Sequence, residues 1–288
     1  MTDRSEKQAL LDKEEAESEA AEMKDIMKRR GIIGSPLHAD YNEAHEKIER
    51  EKTTREEKEL GEPKNIEELI DLVIFDWDGV MYDSMENIAE AAVEVVKRFG
   101  GDLTTQQFHA SYDQPFWDYY RRLGLPVGTE EERAYIQKIY HDEILPKIKS
   151  SQTKNTDTYP EVADTLKELA LRRIKVAIIS ADKLENITSI LTQKGLMQYI
   201  LYPIGLAHHK TEAIKELCAV YGFNPERVLM LGDLPSDLRE AKKAGVNVAA
   251  VARHQIAKDR LSSYDPDYLF ETIGPEIFHL TPHQDKHE

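Results

Sequence analysis

The 288-residue chain holds a single cysteine, Cys218, so it can form no disulfide with itself. That cysteine sits at an apolar helical position in "AIKELCAVYG", where burial as a small hydrophobe outweighs catalysis. Basic charge is scarce. Lys and Arg number 38 against 54 Asp and Glu, a formal net charge of -16. A duplex nucleic-acid binder needs a basic footprint, and so does a protein held on anionic lipid, so neither partner is expected. An anionic small molecule stays compatible, because a local field can oppose the global one. No apolar run approaches membrane-spanning length. The first residues lack the apolar core of a signal peptide. With so little cysteine, the expectation is a reducing, cytoplasmic setting.

Enough apolar residues remain to build a core, since 40% of the chain is hydrophobic. Their distribution is uneven. Residues 1–65 are rich in Glu, Lys and Ala, which favour helix but offer little to bury. This segment reads as a charged N-terminal extension, mostly helical or disordered. The alternative is a helix that docks a protein partner. "GIIGSPLH" (residues 31–38) interrupts the arm as a short apolar patch, suited to docking either onto the main domain or onto a partner. From Leu72 onward, apolar runs of strand length alternate with helical patterns. The runs are "LVIFD" (72–76), "KVAIIS" (175–180), "RVLMLGD" (227–233) and "VNVAAVA" (246–252). Shorter ones lie at 199–204 and 267–270. Continuous apolarity marks strands covered on both faces, and the βα alternation argues a doubly wound parallel α/β domain. Pro160 suits a first helical turn, and Gly195 and Gly245 each end a helical stretch.

The rhythm breaks between residues 84 and 155. Ile88, Ala91, Ala92, Val95, Val96 and Phe99 form one helical face, "QFHASYDQPFWDYYRRLG" reads as helical around Pro115, and "TEEERAYIQKIYHDEILPKI" forms another helix. The expected layout is a core at 66–83 and 156–280, interrupted by a helical insertion at 84–155. No internal repeat is visible.

Three of the core strands end on polar residues: Asp76, Ser180 and Asp233. Open α/β sheets collect ligands at these carboxyl ends. Asp78 follows Asp76 by two positions, and Asp237 follows Asp233 in "GDLPSD". Adjacent carboxylates repel unless a cation or proton compensates. Oxygen-only ligands suit a hard ion, so Mg²⁺ is the expected cofactor, facing a phosphate. On this reading Asp76 is a nucleophile toward phosphorus and forms an aspartyl-phosphate. Asp78 is the general acid for the leaving alcohol and then a base for water. Ser180 binds a phosphate oxygen. Lys210, opening a helix after a short strand, neutralises charge; Lys183 is the competing lysine.

The motifs in this order resemble the haloacid dehalogenase (HAD) superfamily over about residues 70–275. "FDWDGVMYDS" is similar to its first motif, "IISAD" to its second, Lys210 to its third-motif lysine and "LGDLPSDLREAKKAGV" to its fourth. The resemblance implies a Rossmann-like core, and it implies that the helical insertion is a mobile C1 cap, as in phosphoglycolate-phosphatase-like and β-phosphoglucomutase-like members. It also implies that the metal is held by the side chains of Asp76 and Asp233 and the backbone carbonyl of Asp78, with Asp237 supporting that shell. Two departures stand out. Leu234 occupies a position where the family usually has Ser or Thr, and Lys210 is not followed by the K-P-x-P pattern common in phosphoglycolate-phosphatase-like members.

Other candidates take plainer readings. His208 and His209 are expected as solvated loop residues, because adjacent side chains diverge. Phe116, Trp117, Tyr119 and Tyr120 are expected to pack the core of the insertion. Arg121 and Arg122 are expected as exposed helix arginines, with a substrate carboxylate as their alternative partner. The resulting expectation is a Mg²⁺-dependent phosphatase acting on a small phosphorylated metabolite. The rivals are a sugar phosphomutase on the same scaffold and a non-catalytic interaction protein using the N-terminal arm.

Overall fold

The computed structural model describes residues 66–151 and 157–280. The expected helical or disordered arm at 1–65, and its protein partner, lie outside the described residues.

A short helix, α1 (Ile66–Leu69), leads into strand β1 (Leu72–Phe75) at the centre of a six-stranded sheet. The sheet order is β3-β2-β1-β4-β5-β6, and every pairing is parallel. The other strands are β2 (Lys175–Ile179), β3 (Tyr202–Ile204), β4 (Val228–Gly232), β5 (Asn247–Val251) and β6 (Tyr268–Phe270). Each falls within a run of apolar residues noted above, trimmed by a residue or more at the ends. Phe75 pairs in register with Ile178 on one side and with Leu231 on the other. The polar residues that follow these three strands therefore emerge side by side. The chain builds β1 to β3 in one direction and then returns to place β4 on the other flank of β1. That reversal opens a crevice at the strand carboxyl ends.

Both faces of the sheet are covered, which is why its strands lack polar alternation. On one face Val73, Phe75, Val176, Ile178, Leu229 and Leu231 form a core with helices α7 (Val162–Leu171) and α8 (Leu184–Gln193). On the other, Leu72, Ile74, Ala177, Ile179, Val228 and Met230 meet α9 (Lys210–Tyr221), α10 (Pro235–Ala244) and α11 (Gln255–Ser262). Cys218 belongs to this second core and is buried. Each fully buried Leu, Ile or Val contributes roughly 1.5–3 kcal/mol. Gly245 closes α10 in the left-handed region at φ 80°, a conformation that costs glycine little. The helix after Pro160 begins at Val162, so the proline lies in the preceding turn and not in the first helical turn.

Between β1 and β2 the chain makes helices α2 (Met85–Arg98), α3 (Thr105–Ser111), α4 (Phe116–Arg122), α5 (Glu130–Lys138) and α6 (Leu145–Ser151). A π-helical turn at Ile139–Ile144 carries α5 into α6. The stretch around Pro115 is two helices and not one. Tyr112 leaves the helical region at φ -64° and ψ 133°, and Pro115, which lacks an N–H, precedes the first residue of α4. Thr104 and Thr129 begin α3 and α5 with capping boxes. These helices bury a core of their own, with Phe108, Tyr119, Tyr120, Val95 and Ile136 at its centre. Tyr119 and Tyr120 are buried there and Phe116 and Trp117 pack against it, as expected for the aromatic group.

Candidate active site

Asp76 directly follows β1, where its backbone N–H donates to Leu231 of the neighbouring strand at 2.9 Å. Lys210 begins α9 and reaches back under the same crevice. Its Nζ lies 2.8 Å from Asp76 Oδ1 and 2.7 Å from Asp237 Oδ1. All three are buried, with Lys210 only 5% exposed. Lys183, by contrast, is exposed at the start of α8. Burial works to lower the Lys210 pKa, but the charges of Asp237 and Asp76 overcome it and hold the ammonium above its usual range. Burial pushes Asp76 up to about 7; Lys210 opposes that rise, while Asp237 and Asp78 reinforce it. Asp233 is held well above the usual carboxylate range by burial and by the charges of Asp76 and Asp237. One lysine thus leaves the cluster short of positive charge.

The donor atoms fit a cation. Asp76, Asp233 and Asp237 each offer an oxygen within 4.8 Å of the others. Asp237 is already committed, because its second oxygen accepts the Leu234 N–H at 3.1 Å. Asp233 Oδ1 is buried with no hydrogen-bond partner, a costly arrangement for a carboxylate unless something else compensates it. The donor set is all oxygen, which suits Mg²⁺. Space for it depends on Gly79. A Cβ there would lie 2.1 Å from Asp233 Oδ2, and the residue adopts φ +76°, so a side chain is excluded twice over.

Asp78 is partly buried, and the Ser84 hydroxyl donates to its Oδ1 at 2.5 Å. Ser180 follows β2 and is 1% exposed. Its Oγ accepts the Asp182 N–H at 3.0 Å, and its carbonyl accepts from Ala207 at 2.8 Å. The structure brings Asp76, Asp78, Ser180, Lys210 and Asp237 to the wall of one cavity of about 50 Å³. Asp233 lines a neighbouring cavity of about 170 Å³. Met85, Tyr112 and Leu234 contribute to both walls.

Several contributors escaped the sequence reading. Glu240 lines the smaller cavity and is held by Thr211, whose hydroxyl donates to its carboxylate at 2.6 Å. Asp113, from the loop between α3 and α4, accepts the Ser236 N–H at 2.8 Å and pairs with Arg239 at 2.6 Å. Arg253 donates to the carbonyls of Gly79 and Val80 and pairs with Glu161. Asp113 and Arg253 carry no local signal, since the groups they bind are distant in sequence. Ser84 was legible in principle, closing the stretch that begins at Leu72. The remaining candidates fall where expected. His208 and His209 are exposed. Arg121 pairs with Asp118, and Arg122 sits over the Tyr119 ring.

A family model described as haloacid dehalogenase-like hydrolase matches residues 73–251. A phosphoglycolate phosphatase of Synechococcus elongatus is 27% identical over 209 residues, covering 69% of this chain and 92% of its own. The pyrophosphatase PpaX of Oceanobacillus iheyensis is 24% identical over 210 residues, covering 70% of this chain and 92% of its own. Among solved structures, a protein assigned as a β-phosphoglucomutase from Bacteroides vulgatus superimposes with a TM-score of 0.59 at 19% identity, over 84% of this chain and 95% of that one.

Proposed function

The chain belongs to the haloacid dehalogenase-like hydrolases, and from that premise we infer that it is a Mg²⁺-dependent phosphatase of small phosphate monoesters, working through an aspartyl-phosphate on Asp76. The observation that carries this reading is the charge imbalance of the buried cluster. Lys210 serves Asp76 and Asp237 at once, and Asp233 Oδ1 is left without a partner. A divalent cation and a phosphate complete that arrangement.

Asp76 and Asp233, with the backbone carbonyl of Asp78, would hold the ion, and Asp237 would keep Lys210 in place beside them. When bound, Mg²⁺ supplies positive charge against the phosphoryl oxygens and lowers the repulsion that a carboxylate nucleophile meets. Asp76 Oδ attacks phosphorus, and the bond to the ester oxygen breaks. Asp78 gives its proton to the departing alkoxide, which leaves as the alcohol. Asp78 then takes a proton from water as that water attacks the phosphoryl group, releasing phosphate and restoring Asp76. Ser180 and Lys210 bind the equatorial oxygens, so the loose transition state is met by fixed donors. The inserted helices act as a cap that excludes bulk water.

The test is Asp76→Asn. Phosphate release from small monoesters, and from the acyl phosphate acetyl phosphate, should fall below detection while circular dichroism and urea unfolding stay near wild type. Turnover retained in this variant would rule out the covalent route. Conversion of a sugar phosphate to its isomer without phosphate release would point instead to a mutase.

A further inference from the structure

Resting on the phosphatase reading, the charges around the smaller cavity narrow the substrate. Among the described residues, its wall carries four carboxylates, Asp76, Asp78, Asp237 and Glu240, against one lysine, Lys210, and one exposed histidine, His208. That lysine is shared between Asp76 and Asp237. A phosphoryl group meets this lysine and the ion, but a second negative group on the substrate would meet neither. The arginines of the inserted helices do not serve that role either. Arg121 is paired with Asp118, Arg122 lies over Tyr119, and Arg133 donates to the Val127 carbonyl at 2.8 Å. Arg253 and Arg260 line the neighbouring cavity and not the smaller one, and both are engaged: Arg253 donates to the Gly79 and Val80 carbonyls and pairs with Glu161, and Arg260 donates to the His109 carbonyl. Like charges brought together without compensation strongly disfavour a partner.

The wall does offer neutral hydrogen-bonding capacity. Ser236 lines the smaller cavity, and its hydroxyl is buried with no hydrogen-bond partner. Its backbone N–H is fixed by Asp113, so the residue is held in place while its hydroxyl is uncommitted. A buried polar group without a partner is destabilising, and a ligand hydroxyl relieves it. The cavity of about 50 Å³ gives room for roughly four water-sized centres, by the volume one water needs. A phosphoryl group takes much of that, leaving space for a short leaving group.

We propose that the substrate is the monophosphate ester of a small uncharged polyol, whose hydroxyl is read by Ser236, and not an ester carrying a carboxylate or a second phosphate. Ser236 is on this account a specificity-determining residue. The test compares glycerol 3-phosphate, propyl phosphate, phosphoglycolate and pyrophosphate on the full chain with Mg²⁺. Wild type should favour glycerol 3-phosphate over phosphoglycolate and over pyrophosphate by about tenfold or more in kcat/KM. Ser236→Ala should erase about three- to tenfold of the preference for glycerol 3-phosphate over propyl phosphate, acting mainly through KM, and Ser236→Thr should restore it. Gln114→Arg, which adds a cation to the same wall, should move the ratio toward phosphoglycolate. A wild type that prefers phosphoglycolate or pyrophosphate overturns the proposal, as does a Ser236→Ala that leaves the glycerol-to-propyl ratio unchanged. Absence of phosphate release from every ester and from acetyl phosphate strikes the phosphatase reading itself and is distinguishable from either result.

Discussion

The sheet and the inserted helices bury their apolar residues separately, and they hold together by different physics. The sheet's two cores are continuous with the strands that carry Asp76, Ser180 and Asp233. The insertion has its own aromatic core, to which the sheet domain contributes one residue, Leu234. Elsewhere the two regions meet through polar contacts such as Asp113 with Ser236 and Arg239. The first arrangement fixes the candidate site residues to a continuously packed base. The second leaves few apolar contacts across the joint, the arrangement that the proposed cap would need in order to open. Leu234 is where they trade. It precedes α10 and has no side-chain acceptor, so it cannot cap the helix. Asp113 of the insertion instead takes the Ser236 N–H, a bond that a residue capping in place would ordinarily make. The side chain of Leu234 is meanwhile buried in the insertion's core.

The sharpest way to break the comparison is at the packed base. Lys210→Met should lower kcat/KM by about 10²–10³. It should also cost about 3–5 kcal/mol in urea unfolding of the metal-free chain, because it leaves buried carboxylates without their cation. Turnover near wild type would transfer the phosphate role to another lysine. Asp233→Asn should do the opposite to stability. By replacing a buried carboxyl whose ionisation burial opposes and whose Oδ1 has no partner, it should raise the melting temperature of the metal-free protein by about 2–4 °C for each kcal/mol relieved. Added Mg²⁺ should stabilise wild type and leave this variant unmoved, and equal stabilisation of both would contradict the ligand role.

At the joint the effects are smaller. Asp113→Ala should cost about 1 kcal/mol through the lost helix cap and lower kcat/KM several-fold. Adding Leu234→Ser returns a capping hydroxyl to α10 itself. In that double variant, thermal stability should recover while hydrogen exchange in α3 stays fast. Recovery of both would show that Asp113 matters as a cap alone and does not hold the insertion down.

What was legible in the sequence follows the same division. The strand ends announced themselves, because a parallel sheet buried on both faces forces continuous apolar runs, and a polar residue closing such a run is conspicuous. Lys210 was found by its place at a helix start, and the structure sets it apart from Lys183 by burial. The joint was not legible. Asp113 pairs with residues 123 and 126 positions away, and nothing in "SYDQP" distinguishes it from a loop acid. Leu234 was noticed as a departure from Ser or Thr, but not that its cap is supplied from the insertion. Pro115 was read into one helix because the apolar spacing continues across it. The residues before it turn to extended backbone, placing Asp113 over α10.

The smallest effect lies at the seam where His109 of α3 meets His254, whose ring centroids are 5.2 Å apart. Burial lowers the His254 pKa from its ordinary 6.5; His109 lowers it further, while Glu86 opposes. His109 Nε2 lies 3.0 Å from Glu86, and Arg260 donates weakly to the His109 carbonyl at 3.4 Å. A histidine whose pKa is depressed on docking binds fewer protons in the docked form than in the undocked one. Docking is therefore fully favoured above about pH 6.5 and weakens as pH falls below it. Protonation of His254 would add a charge beside His109 and Arg260, in the direction of separation. Hydrogen exchange in α3 should accelerate between pH 7.5 and 5.5, while exchange in β1 and β4 holds once corrected for intrinsic rates. His254→Gln should flatten the α3 response. If α3 and the central strands respond in parallel, the pH effect belongs to the whole fold, and the joint is no looser than the base it covers.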